Sequence, residues 1–447
     1  MPSTPAPAPG ADLYTAPLTL ARAAVPAEPD SPAQSSTFPR TFARHRAELA
    51  AALVILIAGL ALRLLPFFGV PDRLTVDEHL YMTNVAMLKA IGPFEYPALV
   101  ENYVRAQSQM EMVMLPPTRC VYILLGWAWD AAFHSGPRMS LRYVAAIFSC
   151  LSFLLSGLFA FRLGGARMAL VVSALMAVAP LELMMAHREL VDGVFAFWAL
   201  LCLWLLWENL QRPGRLGWLA AYAGAIAVMV LTKENAFFAT VAMGGILCTA
   251  AAWPGLNLGG ARWCTVIATV AGGVMGVTVL ICIAGSPQTL IETYRLLVTK
   301  AEKMTFAYES GGGPWFRYLV DLMLVSPAVL LPAIGGMFAL RRENRQGIFL
   351  LLFMVFSCAV MVNVKNGMNL RYATMWDMPL RYLAAGPILQ MAAAVRRWPV
   401  LAAVALLAVV CGMELHQYSL IFVQHDTGDP ITQFLMYALE IVRPAPR

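Results

Sequence analysis

Charge is scarce in this sequence. Only 13% of its 447 residues are Asp, Glu, Lys or Arg, against 60% apolar, and the mean hydropathy is +0.66. That balance excludes an ordinary water-soluble core and describes a polytopic membrane protein. Basic runs are missing too: the net charge of +6 is spread over short loops between apolar segments, so nucleic acid is not a partner. No two of the eight cysteines form a Cys-x-x-Cys pair or stand beside histidine, and most lie in apolar stretches. They read as small buried residues, neither a metal site nor a disulfide framework. The first 40 or so residues are rich in Pro, Ala, Ser and Thr and lack the apolar core of about 7 to 15 residues that a signal peptide needs. Residues 1–45 are expected to be a disordered cytoplasmic tail.

What remains is a series of apolar segments. Arg40, Arg44 and Arg46 precede a run over about 48–67 that is long enough to span a bilayer, which places the N-terminus inside and the following loop outside. Further spans are expected at about 140–161, 168–186, 192–208, 216–232, 235–252, 263–284, 315–339, 347–364, 376–394 and 398–417. The fold class is therefore all-α, a polytopic bundle of about 11 spans over residues 46–417, with a short extracytoplasmic tail over 418–447. Residues 117–133 are about the minimum length for a span. If they do not cross, Arg162, Arg167, Arg212, Arg215, Arg262, Arg341, Arg342, Arg345, Arg396 and Arg397 all fall on the side of Arg40, Arg44 and Arg46. The segment is accordingly read as an interfacial helix of the first outer loop, with Trp127 and Trp129 at headgroup level.

That parity gathers the polar motifs on one outer face. Asp77 and Glu78 stand side by side just after the first span, where charges are costly and are often functional; the alternative is an ordinary solvated loop. Arg188 precedes Asp192 by one helical turn, a spacing that also makes simple ion pairs at helix ends. Lys233 lies in a tight turn between two spans, as a phosphate contact or a snorkelling residue. The 286–314 loop, with Arg295, Lys300, Lys303, Tyr308 and three glycines at 311–313, suits a flap or simple disorder. Lys365, Arg371 with Tyr372, and Arg381 with Tyr382 suit an anionic lipid phosphate or headgroup anchoring.

The order Asp77-Glu78-x-x-Tyr81, Leu115-Pro116-Pro117, Arg188-x-x-x-Asp192, Thr232-Lys233, Pro314-Trp315-x-x-Tyr318 and a late Arg-Tyr resembles the GT-C glycosyltransferases over roughly residues 45–395. Within them it is most similar to the group of protein O-mannosyltransferases and the lipid A aminoarabinose transferase. The resemblance implies inverting transfer of a sugar from a polyprenyl-phosphate donor to a lipid, glycan or protein acceptor, on the extracytoplasmic face of the plasma (inner) membrane. It implies Asp77 as the base, with Glu78 and Asp192 in the same catalytic cavity. Lys233 corresponds to the family lysine of the Thr-Lys turn. Arg188, Tyr81, Arg371, Tyr372 and Arg381 join it as candidate substrate contacts. The aminoarabinose enzyme carries Glu-Lys before the proline pair, where it helps a metal and phosphate site; Met114 and Leu115 stand there in this chain, so no metal or other cofactor is assigned. The rival class, a transporter or lipid flippase, usually has internal repeats and charges near the midplane. Here the charges gather at one face and neither half repeats the other.

Overall fold

Caps and prolines set where the helices begin. In the computed structural model the described residues are 38–65, 74–111, 114–300, 313–364 and 368–426, with side chains from residue 46 onward. Helix α1 spans Phe38–Leu64, so it starts inside the stretch expected to be a tail. Helix α2 (Val76–Ile91) is opened by a capping box: Glu78 N–H donates to Thr75 Oγ1, and the Glu78 carboxylate accepts from Thr75 N–H at 2.7 Å. It stops at Gly92, whose φ of 91° a side chain would oppose. Helices α3 (Tyr96–Gln109) and α4 (Cys120–Phe133) follow.

Helix α5 (Pro137–Ala177) has 41 residues, twice what a bilayer needs, and breaks at Gly165 with φ 75° and ψ −172°. The chain reverses there. A Cβ built on Gly157 would stand 2.6 Å from Ser173 Oγ, whereas an unbroken helix would hold the two about 24 Å apart. This helix is thus a hairpin of two segments: the first covers the span expected at 140–161, whereas that expected at 168–186 is divided, its helix ending at Ala177 and a short one restarting at Pro180.

Next come α6 (Pro180–Ala186), α7 (Asp192–Gln211), α8 (Leu216–Thr232), α9 (Ala236–Ala252) and α10 (Trp263–Ala284). They are followed by α11 (Pro287–Lys300), α12 (Arg317–Val325), α13 (Pro327–Phe338), α14 (Arg345–Met361), α15 (Asp377–Ala394) and α16 (Pro399–Tyr418). Pro137, Pro180, Pro287, Pro327 and Pro399 each open a helix, where a missing N–H costs nothing. Two expectations change here. The stretch 287–300, read as loop, is an amphipathic helix that buries Leu290, Thr293 and Leu296. The single span expected over 315–339 is two helices, because Pro327 restarts the chain after Ser326. Lys303, Tyr308, Gly311, Gly312 and Lys365, the tail up to residue 37 and the tail from 427 lie outside the described residues.

No strand occurs among the described residues, and the chain is an integral membrane protein built as a helical bundle. Among the described residues five helices are long and apolar enough to cross a membrane, and five shorter apolar helices accompany them. Small residues let these helices approach closely, as in membrane packing generally. Gly272 and Gly276 of α10 face the carbonyls of Ala223 and Ala227 on α8. Gly336 of α13 faces the carbonyl of Leu383, the one that Pro387 of α15 cannot satisfy.

Polar contacts assign the helix ends to two poles. At one, Arg119, Glu189, Lys233, Arg371 and Asp426 meet around the start of α2 and α7. At the other, Arg162 grips Glu208 with two hydrogen bonds of 2.6 and 3.1 Å, and Leu210 C=O accepts from Gly260 N–H at 2.9 Å. Helix α4 has both ends at the first pole. Arg119, which precedes it, reaches Tyr81 near the start of α2; Asp130 near its end accepts from Lys89 at 2.6 Å; and Arg138 just beyond donates to Glu189. It runs alongside α2 rather than carrying the chain from pole to pole.

Candidate active site

The capping box decides how the adjacent Asp77 and Glu78 divide. Consecutive helix residues point about 100° apart, and Glu78, at the position that reaches back to Thr75, turns inward. Arg188 meets it edge-on, with Nε donating to Oε1 and Nη2 to Oε2, both at 3.1 Å, while Glu189 N–H donates to Oε1. Both oxygens are thereby used. Burial works to raise the Glu78 carboxyl, but the hydrogen bonds and charge of Arg188, with Thr75, outweigh it and hold the group below the usual carboxylate range. Burial, with the Glu78 charge adding to it, pushes neighbouring Glu189 up instead, although Arg142 lies against it at 2.5 Å.

Asp77 turns the other way. It retains 22% of its side-chain surface, its Oδ2 accepts from Arg371 Nη2 at 2.9 Å, and its Oδ1 has no hydrogen-bond partner among the described residues. Arg371 comes from the 3₁₀ stretch Leu370–Trp376, which is pinned from several sides. Its N–H and Nε donate to Asn369 Oδ1, Tyr318 OH accepts from Asn369 N–H at 3.3 Å, and Trp376 Nε1 donates to Ser357 Oγ at 2.8 Å. Such fastening holds the guanidinium beside two elements distant in sequence.

The same guanidinium approaches Asp192, with Nη1 at 3.9 Å from Oδ2. The main partner of Asp192 is Lys233, whose Nζ donates to Oδ1 and stands 4.3 Å from the centre of the Tyr372 ring. Asp192 begins α7 and Lys233 ends α8, so a turn and a helix terminus supply one buried ion pair. On the far side Arg119 donates to Glu234 Oε2 at 3.1 Å and to the Tyr81 hydroxyl, and Thr118 fills Glu234 Oε1. Arg119 lies within electrostatic reach of Asp77, Asp192 and Lys233. Three carboxylates, Asp77, Asp192 and Glu234, thus face three cations, Arg119, Lys233 and Arg371.

Of the residues singled out in the sequence, Asp77, Tyr81, Asp192, Lys233, Arg371 and Tyr372 come together. Glu78 and Arg188 form the layer beneath. The expected helix-end pair of Arg188 with Asp192 is not made, because Arg188 lies in the turn before α7 and faces α2. Arg381 does not join. One turn into α15, it donates to Asp377 Oδ1 at 2.7 Å, to Glu414 Oε2 at 3.1 Å and to Leu175 C=O, in a separate buried cluster. The structure therefore places Arg381, a candidate substrate contact from the sequence, apart from the other candidates. Sequence reasoning gave no site role to Arg119, Glu234 or Glu189; the position of Arg119 directly after Pro116-Pro117-Thr118 was the available signal.

No group of three or more His, Cys, Asp or Glu side chains that could hold a metal occurs among the described residues. The donor set does not fit one, since each acid of the cluster already faces a guanidinium or ammonium.

A family model, Dolichyl-phosphate-mannose-protein mannosyltransferase, matches residues 126–272, a segment from α4 to α10 that contains Arg188, Asp192 and Lys233. No curated protein matches the chain as a relative. Among solved structures, ArnT from Cupriavidus metallidurans in the apo state superposes with a TM-score of 0.52 at 17% identity, covering 85% of this chain and 76% of that one. ArnT bound to undecaprenyl phosphate gives 0.50 at 16% identity, covering 86% and 76%. The Archaeoglobus fulgidus oligosaccharyltransferase, in complex with Zn and sulfate, gives 0.54 at 14% identity, covering 89% of this chain but 57% of its own length. At such identities the structures establish the fold, which is GT-C. The chain thus shares the fold of ArnT and the oligosaccharyltransferase, and its segment 126–272 matches the mannosyltransferase family model.

Proposed function

We propose that the protein transfers a sugar from a polyprenyl-phosphate carrier to a lipid, glycan or protein acceptor at the extracytoplasmic face of the plasma (inner) membrane, with inversion, and that Asp77 is the base. The observation that carries this reading is the juxtaposition of Asp77, partly exposed and with Oδ1 unbonded among the described residues, and the cations Arg371 and Lys233. Lipid-linked donors have an anionic phosphate and an apolar tail, and ArnT, of the same fold, is known bound to undecaprenyl phosphate. In the reaction Asp77 Oδ1 takes the proton of the acceptor hydroxyl, whose oxygen forms the new bond to the anomeric carbon. The bond from that carbon to the phosphate oxygen breaks, and its electron pair leaves with the carrier phosphate. Lys233 and Arg371 stabilise that growing charge, a use for which preorganised cations in a dry site are well suited. Glu78, Arg188 and Glu189 hold the start of α2 in register; Tyr81 and Tyr372 hold Arg119 and Lys233.

The test is transfer from polyprenyl-phosphate sugars in proteoliposomes. Asp77→Asn keeps the shape but cannot accept the proton, so turnover should fall by about 10² to 10⁴ with donor binding retained. Near wild-type transfer by Asp77→Asn would remove the base from this mechanism, and failure of the wild-type protein to use any such donor would remove the donor class.

A further inference from the structure

Arg188 is gripped from two directions. Glu78 takes its Nε and Nη2, while Nη1 donates to Asp426 Oδ1 at 3.1 Å. Asp426 stands 238 residues further along the chain, beyond the last helix. We infer that Asp426 is a positioning residue of the transfer reaction: through Arg188 and Glu78 it fixes the first turn of α2, and thereby the direction in which Asp77 points. The assignment rests on Asp77 being the base, as proposed above, and names the segment that aims it.

The path of the chain after α16 brings this acid to the site. The helix widens into a π-helical turn, Ser419–Gln424, and His425 N–H donates to Leu420 C=O, five residues back. Tyr418 and Phe422 are buried with their ring centres 6.2 Å apart, and the Tyr418 ring lies 6.5 Å from that of His187. The segment is thus seated on the turn that carries Arg188. Asp426 then leaves the helical path with φ 45°, a left-handed conformation that Gly, Asn and Asp tolerate best. Its carboxylate there meets a guanidinium that is 3% exposed.

A guanidinium is planar, so acids at two of its edges set its tilt as well as its place. Glu78 sets one edge, and Asp426 holds the remaining terminal nitrogen. The Glu78 carboxylate also accepts from Thr75 N–H and Oγ1 in the capping box, so a shift of the Arg188 head is passed to the start of α2, one residue from Asp77. The cations proposed for the donor stand on other elements, since Lys233 ends α8 and Arg371 belongs to the 3₁₀ stretch. Misplacing a reacting group by about 1 Å can cost on the order of 10² in rate. A contact outside the cavity is therefore able to govern turnover without changing donor affinity.

The test uses the full-length protein in phosphatidylcholine nanodiscs, comparing the wild type with Asp426→Gly, Asp426→Asn, Glu78→Gln and the double variant of Glu78→Gln with Asp426→Gly. Glycine accepts φ 45° and so removes the carboxylate without straining the backbone. Hydrogen exchange of the amides of residues 75–82 should be about threefold faster in Asp426→Gly than in the wild type. In transfer from polyprenyl-phosphate sugars, kcat should fall about tenfold with donor KM within about twofold. Asp426→Asn, whose amide oxygen still accepts from Nη1, should recover most of the rate. In the Glu78→Gln background the loss should shrink to less than about twofold, because the path through Glu78 is already broken. Unchanged exchange at 75–82 in Asp426→Gly would overturn the inference, as would a raised donor KM at unchanged kcat or a tenfold loss repeated in full on top of Glu78→Gln. A wild type inactive with every such donor, together with faster exchange in Asp426→Gly, would overturn the donor reading and confirm that Asp426 fixes the start of α2.

Discussion

Asp77 and Glu78 are one residue apart and are given different tasks by the turn of a helix. The sequence shows two acids beyond a span and so treats them alike; only the capping box reveals that Glu78 points inward, and that box depends on Thr75 being the N-cap. Arg188 was legible as a cation near the site, but its partner was not, because that partner lies 110 residues away on another helix. A pH prediction follows from the lowered Glu78 carboxyl. A depressed carboxylate contributes stability that is fully present above its unfolded value, near 4.5, and lost as pH falls through the lower folded value. Thermal unfolding in detergent should therefore show a loss of stability below about pH 4.5 in the wild type. Glu78→Gln, which cannot ionise, should be destabilised at neutral pH and should show a smaller acid loss. An equal acid loss in both would assign the effect to other carboxylates.

At the scale of elements, the site depends on a short 3₁₀ stretch and the helix that continues it. The sequence offers two late Arg-Tyr pairs, Arg371-Tyr372 and Arg381-Tyr382, for the same kind of phosphate contact; in the structure they part, with Arg371 turned to the site and Arg381 turned into the bundle. The reason is the start of α15 at Asp377. Four residues, about one helical turn, bring Arg381 beneath Asp377, where it reaches Glu414 of α16 and the end of the α5 hairpin. Removing one member of a buried charge network leaves the others unpaired, which costs about 3 to 5 kcal/mol. Arg381→Leu should accordingly lower the melting temperature sharply, with donor KM unchanged in the protein that remains folded. A raised donor KM at wild-type stability would return Arg381 to the substrate. Helix contacts carry a similar test. A Cβ on Gly336 would lie 2.3 Å from the Leu383 carbonyl, so Gly336→Val must part α13 from α15 and should destabilise by about 1 to 3 kcal/mol, read as a shift in thermal unfolding.

At the scale of the whole molecule, hydropathy located most of the apolar segments because each is bounded by arginine, proline or glycine. It could not see that 287–300 coils into an amphipathic helix or that Pro327 divides a span, since both depend on what packs against the chain. The arginine pattern does address orientation. Both ends of α4 belong to the pole where Asp77, Lys233 and Arg371 meet, while Gly165, at the hairpin tip, lies beside Arg162 and Arg167. If α4 lies in the interface and the arginine-rich pole is cytoplasmic, Ala132 near the end of α4 and Ala166 next to the hairpin tip are on opposite sides of the membrane. Both are exposed, so cysteine can replace either without crowding. A membrane-impermeant maleimide applied to intact cells should label Ala132→Cys and should reach Ala166→Cys only after permeabilisation, with the unmodified protein as blank for the native cysteines. Labelling of Ala166→Cys from outside would invert the molecule, and protection of Ala132→Cys until permeabilisation would put the donor cations on the cytoplasmic side, where an acceptor outside the cell could not reach Asp77.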